Sequence, residues 1–107
     1  METNDIRTAQ RYPFIVDIEL TDLQSGIKIN AQTKDLSQFG CSIDSLKTFS
    51  RGTILRIEMS HLDRHFEAYA RVIYASPSLG MGVVFTRVEP EDERILHGWL
   101  VQLVGSI

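Results

Sequence analysis

The stretch Asp35-Leu36-Ser37-Gln38-Phe39-Gly40 separates two segments that both have the pattern of a β-strand. An alternating run from Gly26 to Lys34 precedes it, and a short apolar run, Cys41-Ser42-Ile43, follows it. Alternation of apolar and polar residues is typical of a half-buried strand, and Asp, Ser and Gly are common turn residues. Taken alone, the stretch favours a polar turn between two antiparallel strands.

The same stretch also carries three groups that suit a binding loop. An ionised Asp35 only accepts hydrogen bonds, so it fits a partner that offers paired N–H donors. Ser37 can donate or accept a hydrogen bond. Gly40 lets the backbone turn with a positive φ, or lets it approach a ligand closely.

Alternating runs on both sides of this stretch predict six β-strands before residue 90. The residues predicted to face inward are Phe14, Val16, Ile18 and Leu20; Ile27, Ile29, Ala31 and Thr33; Cys41 and Ile43; Leu55, Ile57 and Met59; Phe66, Ala68, Ala70, Val72 and Tyr74; and Met81, Val83 and Phe85. The first two runs should form an antiparallel hairpin whose end brings Asp35 back towards Arg11. The alternation fails after Asp35, which predicts a bulge or loop, and Gly82 is expected to allow close packing. Closing such strands into a small antiparallel barrel removes exposed edges.

A terminal helix is predicted to begin at Pro90, because proline is favoured at the first helical position. The next residues, Glu91-Asp92-Glu93, place negative charge where the helix dipole favours it. One apolar stripe with Trp99 at its centre indicates packing against the barrel. The stripe consists of Ile95, Leu96, Trp99, Leu100, Leu103 and Val104.

Composition excludes several classes of protein. The chain has 107 residues, 43% of them hydrophobic, which suits one globular domain. The net charge of -3 argues against general nucleic-acid binding, which needs a basic face. No apolar run approaches the ~20 residues that span a bilayer, and the polar start, Met1 to Asp5, is not a signal peptide. The single cysteine fits a reducing compartment, so a cytoplasmic protein without membrane insertion is expected.

The remaining reactive side chains are interpreted as structural. Cys41 directly follows Gly40 in an apolar strand, so it is interpreted as a small buried hydrophobe. His61 and His65 flank a predicted turn with no evident third ligand, so no metal site is predicted. No nucleophile–base pair and no glycine-rich phosphate loop is evident, so the sequence does not predict an enzyme.

Two arginines stand just before the first strand-like run, in a segment that lacks hydrophobic periodicity. Arg7-Thr8-Ala9-Gln10-Arg11 places their guanidinium groups four residues apart. The order RxxxR, strand pair and DxSxxG resembles the PilZ family of bacterial cyclic di-GMP receptors. The resemblance extends from Arg7 to the helix after Pro90, and it includes the run Gly80–Phe85 as the family's last strand.

This resemblance implies a fold and a ligand site. The fold is all-β: a six-stranded antiparallel, Greek-key-like barrel over residues 12–107, with a C-terminal α-helix from about residue 90. Residues 1–11, which lack hydrophobic periodicity, are expected to form a flexible N-terminal arm. Arg7 and Arg11 would hold phosphate and guanine, whereas Asp35, Ser37 and Gly40 would surround a guanine. The resemblance implies cyclic di-GMP as the ligand and no further cofactor.

The residue types suit that ligand group by group. A guanidinium can bridge the N7 and O6 acceptors of guanine, and it can also pair with a phosphodiester. A carboxylate can accept from the N–H donors of the guanine Watson–Crick edge.

Two functions are weighed. The first is a stand-alone receptor that transmits the second-messenger level to an unidentified protein effector when its arm becomes ordered. The alternative is a ligand-independent adaptor that uses the barrel only for protein contacts. A monomer or weak dimer is expected. The sequence leaves open whether one or two nucleotides bind, and whether Phe39 packs on the barrel end or stacks on a base.

Overall fold

The computed structural model describes residues 10–105, which form seven β-strands and one helix. The strands are β1 (Tyr12–Pro13), β2 (Asp17–Asp22), β3 (Lys28–Leu36), β4 (Gly40–Asp44), β5 (Ile54–His61), β6 (Arg64–Ser76) and β7 (Gly80–Arg87), and the helix is α1 (Pro90–Gly105). Arg7 and most of the predicted arm lie outside the described residues.

Six of the strands form a closed antiparallel barrel. Their order is β3-β2-β5-β6-β7-β4, and β4 pairs with β3 to complete the circle. Strands β2 to β5 form a Greek key, because the last of the four, β5, lies beside the first, β2. The predicted six-stranded barrel with a C-terminal helix is therefore confirmed. The two-residue β1 is an additional strand that pairs with the end of β3.

The barrel consists of two three-stranded meanders. Strands β2, β3 and β4 form the first meander, and strands β5, β6 and β7 form the second, each with neighbouring strands paired in sequence order. The meanders join at two seams, β2–β5 and β4–β7. Each seam pairs strands that are distant in sequence.

The barrel interior is filled by alternate residues of the strands, as the alternation predicts. Fifteen of the residues predicted to face inward are at most 5% exposed: Phe14, Ile18, Leu20, Thr33, Cys41, Ile43, Leu55, Ile57, Met59, Phe66, Ala68, Ala70, Val72, Met81 and Val83. Burying a large apolar side chain stabilises the fold by about 1.5–3 kcal/mol. Ile27 departs from the prediction, because it precedes β3 and is largely exposed.

The first strand is interrupted where the sequence predicts a continuous run from Phe14. Strand pairing stops between β1 and β2, and the buried side chain of Thr33 bonds to the backbone there instead. The Thr33 hydroxyl donates to the Phe14 carbonyl and accepts from the Val16 N–H at 3.0 Å. These bonds satisfy backbone groups that the sheet leaves unpaired.

A bulge in β3 accounts for the predicted break in alternation, although it lies just before Asp35 and not after it. The register between β3 and β4 shifts between Thr33 and Asp35. The extra residue turns the next apolar side chain, Leu36, into the core, where it is fully buried.

A second bulge overturns the prediction that Tyr74 faces the barrel interior. The register between β6 and β7 shifts between Val72 and Tyr74. Because successive strand residues point to opposite faces, one extra residue reverses the alternation. Val72 is 1% exposed, whereas Tyr74 is 40% exposed and lies on the outer surface.

Helix α1 begins at Pro90, as predicted, and packs on the barrel through Leu96 and Trp99. Trp99 is 3% exposed, which confirms its predicted burial, but Val104 lies outside the buried stripe and is half exposed. Asp92 Oδ1 accepts from the Glu67 N–H of β6 at 2.9 Å and so ties the first turn of the helix to the sheet. No helix within residues 10–105 has the length and apolar character needed to cross a bilayer.

The two histidines of the predicted turn lie on opposite faces of the β5–β6 hairpin. His61 packs against Phe14 and Trp99, with ring centroids at 5.0 and 5.7 Å. His65 is exposed on the outer face, where its Nδ1 lies 3.0 Å from Ser60 Oγ. The two imidazoles therefore do not converge on one ligand.

Substitutions in the turn between β5 and β6 are expected to stabilise the folded protein. Leu62 and Asp63 have φ angles of 54° and 62°, and such angles cost an L-residue about 1–2 kcal/mol each. Asn-Gly is the sequence that this turn geometry favours. The double variant Leu62→Asn, Asp63→Gly is therefore expected to raise the free energy of unfolding by about 1–2 kcal/mol in a urea titration. Asp63→Ala keeps the unfavourable φ and should give no gain. An unchanged midpoint for the double variant would contradict the prediction.

Candidate ligand-binding site

Four residues on neighbouring strands form one row on the outer face of the barrel. Asp35 of β3 is opposite Ser42 of β4, and Ser42 is opposite Gly82 of β7. Gly82 is in turn opposite Tyr74 of β6. The row crosses the β4–β7 seam, so it combines side chains from both meanders.

Hydrogen bonds connect Arg11 to this row. Arg11 Nη1 donates to Asp35 Oδ1 at 3.2 Å and to Ser42 Oγ at 3.1 Å. The Ser42 N–H donates to the same Asp35 oxygen at 3.1 Å. The Tyr74 hydroxyl donates to Ser42 Oγ at 3.3 Å. The predicted approach of Asp35 to Arg11 is confirmed.

Arg11 and Asp35 remain accessible while they are paired. Their side chains are 32% and 26% exposed, so solvent screens the pair less than a fully exposed one. Both bonds of Arg11 use Nη1, and both bonds of Asp35 use Oδ1. Among the described residues, Arg11 Nε and Nη2 and Asp35 Oδ2 therefore have no hydrogen-bonding partner.

Gly82 allows the Tyr74 ring to lie across the row. A Cβ atom at residue 82 would come within 2.1 Å of the ring, at Cε2. Since real Cβ atoms do not approach so closely, any larger residue would displace the ring. The absence of a side chain at Gly82 thus lets the Tyr74 hydroxyl reach Ser42, and the predicted close packing at Gly82 is confirmed.

Ser37 and Gly40 shape the loop between β3 and β4. The fully buried Ser37 hydroxyl accepts from the N–H groups of Phe39 and Gly40, at 3.1 and 3.2 Å. The Ser37 N–H donates to the Gly40 carbonyl at 2.9 Å. A Cβ at Gly40 would lie 2.0 Å from the Val83 carbonyl oxygen. Gly40 therefore allows close approach to β7, and Ser37 holds the turn.

Phe39 lies at the tip of that loop and is half-buried. Its carbonyl accepts from the Phe85 N–H at 2.8 Å. Its side chain lines a groove with Leu96 and Leu100 of α1. Phe39 therefore borders a groove between the loop and α1.

Cys41 lies beneath the row, inside the barrel. Burial raises the pKa of its thiol to about 12, and the Asp35 carboxylate adds to the rise while Arg11 opposes it. The thiol is therefore protonated at neutral pH, and the interpretation of Cys41 as a buried hydrophobe is confirmed.

The Cys41 thiol is expected to react slowly in the folded protein. Only the thiolate attacks a disulfide reagent, and the raised pKa and burial both suppress it, so native labelling should be at least about a hundredfold slower than labelling in denaturant. The measurement is the rate of reaction with an aromatic disulfide reagent at pH 8, with and without guanidinium. Comparable rates in the two solutions would contradict the prediction.

The sequence did not indicate Ser42 or Tyr74 as residues of the site. Ser42 joins the row only through the β3–β4 and β4–β7 registers. Tyr74 reaches it only because of the bulge in β6. With Arg11 and Asp35, these residues offer a guanidinium, a carboxylate, hydroxyl groups and an aromatic ring side by side. That combination suits a planar heterocycle with polar edges and an attached anion.

Several solved structures share this fold. The PilZ domain of CeSA from a cellulose synthesizing bacterium aligns with a TM-score of 0.69 and 19% identity, over 91% of this chain and 97% of that chain. The PilZ domain with c-di-GMP of YcgR from Escherichia coli aligns with a TM-score of 0.74 and 18% identity, over 95% of this chain and 94% of that chain. The Bacillus subtilis inhibitor of motility, MotI/DgrA, aligns with a TM-score of 0.67 and 19% identity, over 95% of this chain but only 52% of that chain.

At these identities the structural likeness establishes the fold alone, and sequence comparison with curated proteins finds no match. The family assignment comes from the family model for the PilZ domain, which matches residues 5–102. That match includes the RxxxR segment, the whole barrel and most of α1. The chain belongs to the PilZ domain family.

Proposed function

We propose that this PilZ domain is a receptor for cyclic di-GMP that passes the second-messenger signal to a protein effector. The observation that carries the proposal is the contact between Arg11 and the row formed by Asp35, Ser42, Gly82 and Tyr74. The fold it shares with a PilZ domain that has c-di-GMP bound supports the choice of ligand.

The atoms of the Arg11–Asp35 pair that lack a partner in the described part of the chain match the edges of guanine. Arg11 Nε and Nη2 can donate to N7 and O6, or to a phosphate oxygen. Asp35 Oδ2 can accept from the N–H donors of the Watson–Crick edge. Ser37 and Gly40 contribute by holding the β3–β4 loop beside the base.

Tyr74 is proposed to stack on a guanine. Its ring is 40% exposed and rests over Gly82, next to the Arg11–Asp35 pair. Stacking of a base on an aromatic side chain contributes about 1–3 kcal/mol by alanine substitution. Because the ring is partly exposed, we expect Tyr74→Ala to weaken cyclic di-GMP binding by roughly 5- to 30-fold.

The chain offers a matched control for that variant. Tyr69 is on the same strand and is also 40% exposed, but it pairs with Arg56 and Arg87, away from the row. Calorimetric titration of Tyr69→Ala should therefore give the wild-type affinity. Equal losses for the two variants would contradict a specific role of Tyr74.

The proposal includes Arg7 and the arm of residues 1–11. Arg7 would provide the second guanidinium, and binding would hold the arm against the barrel and change the surface that an effector meets. Hydrogen exchange with and without cyclic di-GMP tests this point. Amides from residue 7 to residue 11 should gain protection on binding, and unchanged exchange in this segment would contradict the arm mechanism.

Titration of the wild-type protein tests the function itself. Cyclic di-GMP should bind with micromolar or tighter affinity and GTP should bind much more weakly, while the heat signal also gives the number of nucleotides per chain. No binding tighter than that of GTP would leave the ligand-independent adaptor as the better hypothesis. Recovery of unchanged nucleotide after incubation is expected for a receptor, whereas linear hydrolysis products would indicate an enzyme.

A further inference from the structure

We propose that Glu58, His65 and Glu67 form a surface site for a divalent transition-metal ion, for which Zn²⁺ is the test ion. The site lies on the β5–β6 hairpin, away from the row that is proposed to bind the nucleotide. Its donors are one imidazole nitrogen and two carboxylate oxygens, and these atoms all lie within 4.8 Å of one another.

The register of the hairpin brings the three side chains together. Glu58 of β5 is directly opposite Glu67 of β6, and His65 lies two residues before Glu67 on the same outer face. The connection between the strands is the two-residue turn that follows His61. Two strands paired residue by residue and joined by a tight turn hold the three backbone positions, so only side-chain rotations are needed to bind an ion.

The distance between the imidazole and one carboxylate already suits a shared ion. His65 Nε2 lies 3.3 Å from Glu58 Oε1. Two ligand atoms that each lie roughly 2.0–2.2 Å from a tetrahedral Zn²⁺ are about 3.3–3.6 Å apart. The Glu67 carboxylate lies within 4.8 Å of these two atoms at the end of a half-exposed side chain, so a change of side-chain rotation can complete the set.

Ser60 orients the imidazole towards the carboxylates. Ser60 is opposite His65 in the hairpin, and its Oγ lies 3.0 Å from His65 Nδ1. An Nδ1–H that donates to this hydroxyl leaves the Nε2 lone pair directed at Glu58. A hydrogen bond to the second ring nitrogen is the usual support of a metal-binding histidine.

The two glutamates repel each other, and Arg56 compensates their charge only at the outer limit of ion-pair distance. Like charges directly opposite in a β-ladder are destabilising. Arg56 approaches both carboxylates, but its Nε is 3.7 Å from Glu58 and 3.8 Å from Glu67, too far for hydrogen bonds. Among the described residues, the buried Arg56 Nε has no hydrogen-bonding partner. A cation between the carboxylates would relieve a repulsion that Arg56 leaves only partly balanced.

The donor set selects the class of ion. Imidazole combined with carboxylates suits Zn²⁺ and its first-row neighbours. Mg²⁺ and Ca²⁺ prefer sites made only of oxygen ligands. Three protein ligands leave a position for water or for a donor from another molecule.

The test is calorimetric titration of the tag-free, chelator-treated full chain with ZnCl₂, together with thermal unfolding. We expect one Zn²⁺ per chain, a higher unfolding temperature with Zn²⁺, and no comparable effect of Mg²⁺. Ser60→Ala should weaken binding by about 10- to 100-fold, the range for lost support of a ligand, and His65→Ala should weaken it by more. His97→Ala, which removes an exposed histidine of α1, is the matched control and should bind as the wild type does.

Glu67→Gln separates metal binding from a purely structural role. Without metal, this variant should unfold at the wild-type temperature or above it, because the repulsion between the two glutamates is removed. With Zn²⁺, its unfolding temperature should not rise. The absence of zinc binding by the wild type, or wild-type zinc affinity in His65→Ala or Glu67→Gln, would overturn the proposal.

Discussion

Arg11→Ala is expected to weaken cyclic di-GMP binding by roughly 10- to 150-fold. A hydrogen bond to a charged group contributes about 1.5–3 kcal/mol, and each 1.4 kcal/mol changes the affinity tenfold. Arg11 provides the guanidinium beside Asp35, and its Nε and Nη2 atoms, which have no partner within residues 10–105, are the donors proposed for the nucleotide. The measurement is a calorimetric titration at fixed salt, because contacts with phosphate weaken as ionic strength rises.

Two further variants show what Arg11 contributes. Arg11→Lys keeps the positive charge but loses the planar fork that can bridge two acceptors, so it should recover only part of the affinity. Arg94→Ala removes an exposed arginine of α1 and should bind as the wild type does. Asp35→Ala in the same series should reduce the preference for guanine over other bases. An Arg11→Ala titration that matches the wild type would contradict the proposed receptor function.

Trp99→Ala is expected to lower the free energy of unfolding by about 3–5 kcal/mol, the range for truncation of large buried aromatic side chains. Trp99 is 3% exposed and contacts three other rings, those of Phe14, His61 and Phe66. Its loss would leave a cavity between α1 and the barrel. Because a domain of this size is stable by only about 5–15 kcal/mol, the variant should unfold at a much lower denaturant concentration.

Urea unfolding followed by far-UV circular dichroism measures this loss without relying on tryptophan fluorescence. Trp99→Phe should lose less, because a ring still fills the space and the buried indole Nε1 has no hydrogen-bonding partner among the described residues. Val101→Ala, at a half-exposed position of the same helix, should change the free energy of unfolding by less than about 0.5 kcal/mol. A loss below about 1 kcal/mol for Trp99→Ala would show that the helix contributes little to the core.

Local pattern was sufficient to predict most of the fold. Strand β5 illustrates this, because Leu55, Ile57 and Met59 are the buried residues that simple alternation predicts. Pro90 likewise marked the start of α1. Alternation could not predict Tyr74, because a bulge changes the face of a residue without changing its neighbours in sequence.

The candidate site was predictable only in part, because registers between distant strands decide which side chains meet. Arg11 and Asp35 were indicated by their motifs, and the pairing of β1 with the end of β3 explains their contact. Ser42 meets Tyr74 because β4 pairs with β7. The sequence around either residue gives no sign of that pairing. The opposed pair Glu58 and Glu67 has the same kind of origin, since it follows from the β5–β6 register.

A single linker joins the two meanders of the barrel. Residues 45–53 link β4 to β5 without belonging to a strand, so a cut there removes no strand pairing. Each of the two resulting polypeptides would keep one complete meander. Asp35 and Ser42 would then belong to one polypeptide, and Gly82 and Tyr74 to the other. The nucleotide proposed for this row would bind only where the two polypeptides meet, and would therefore act as a molecular glue between them.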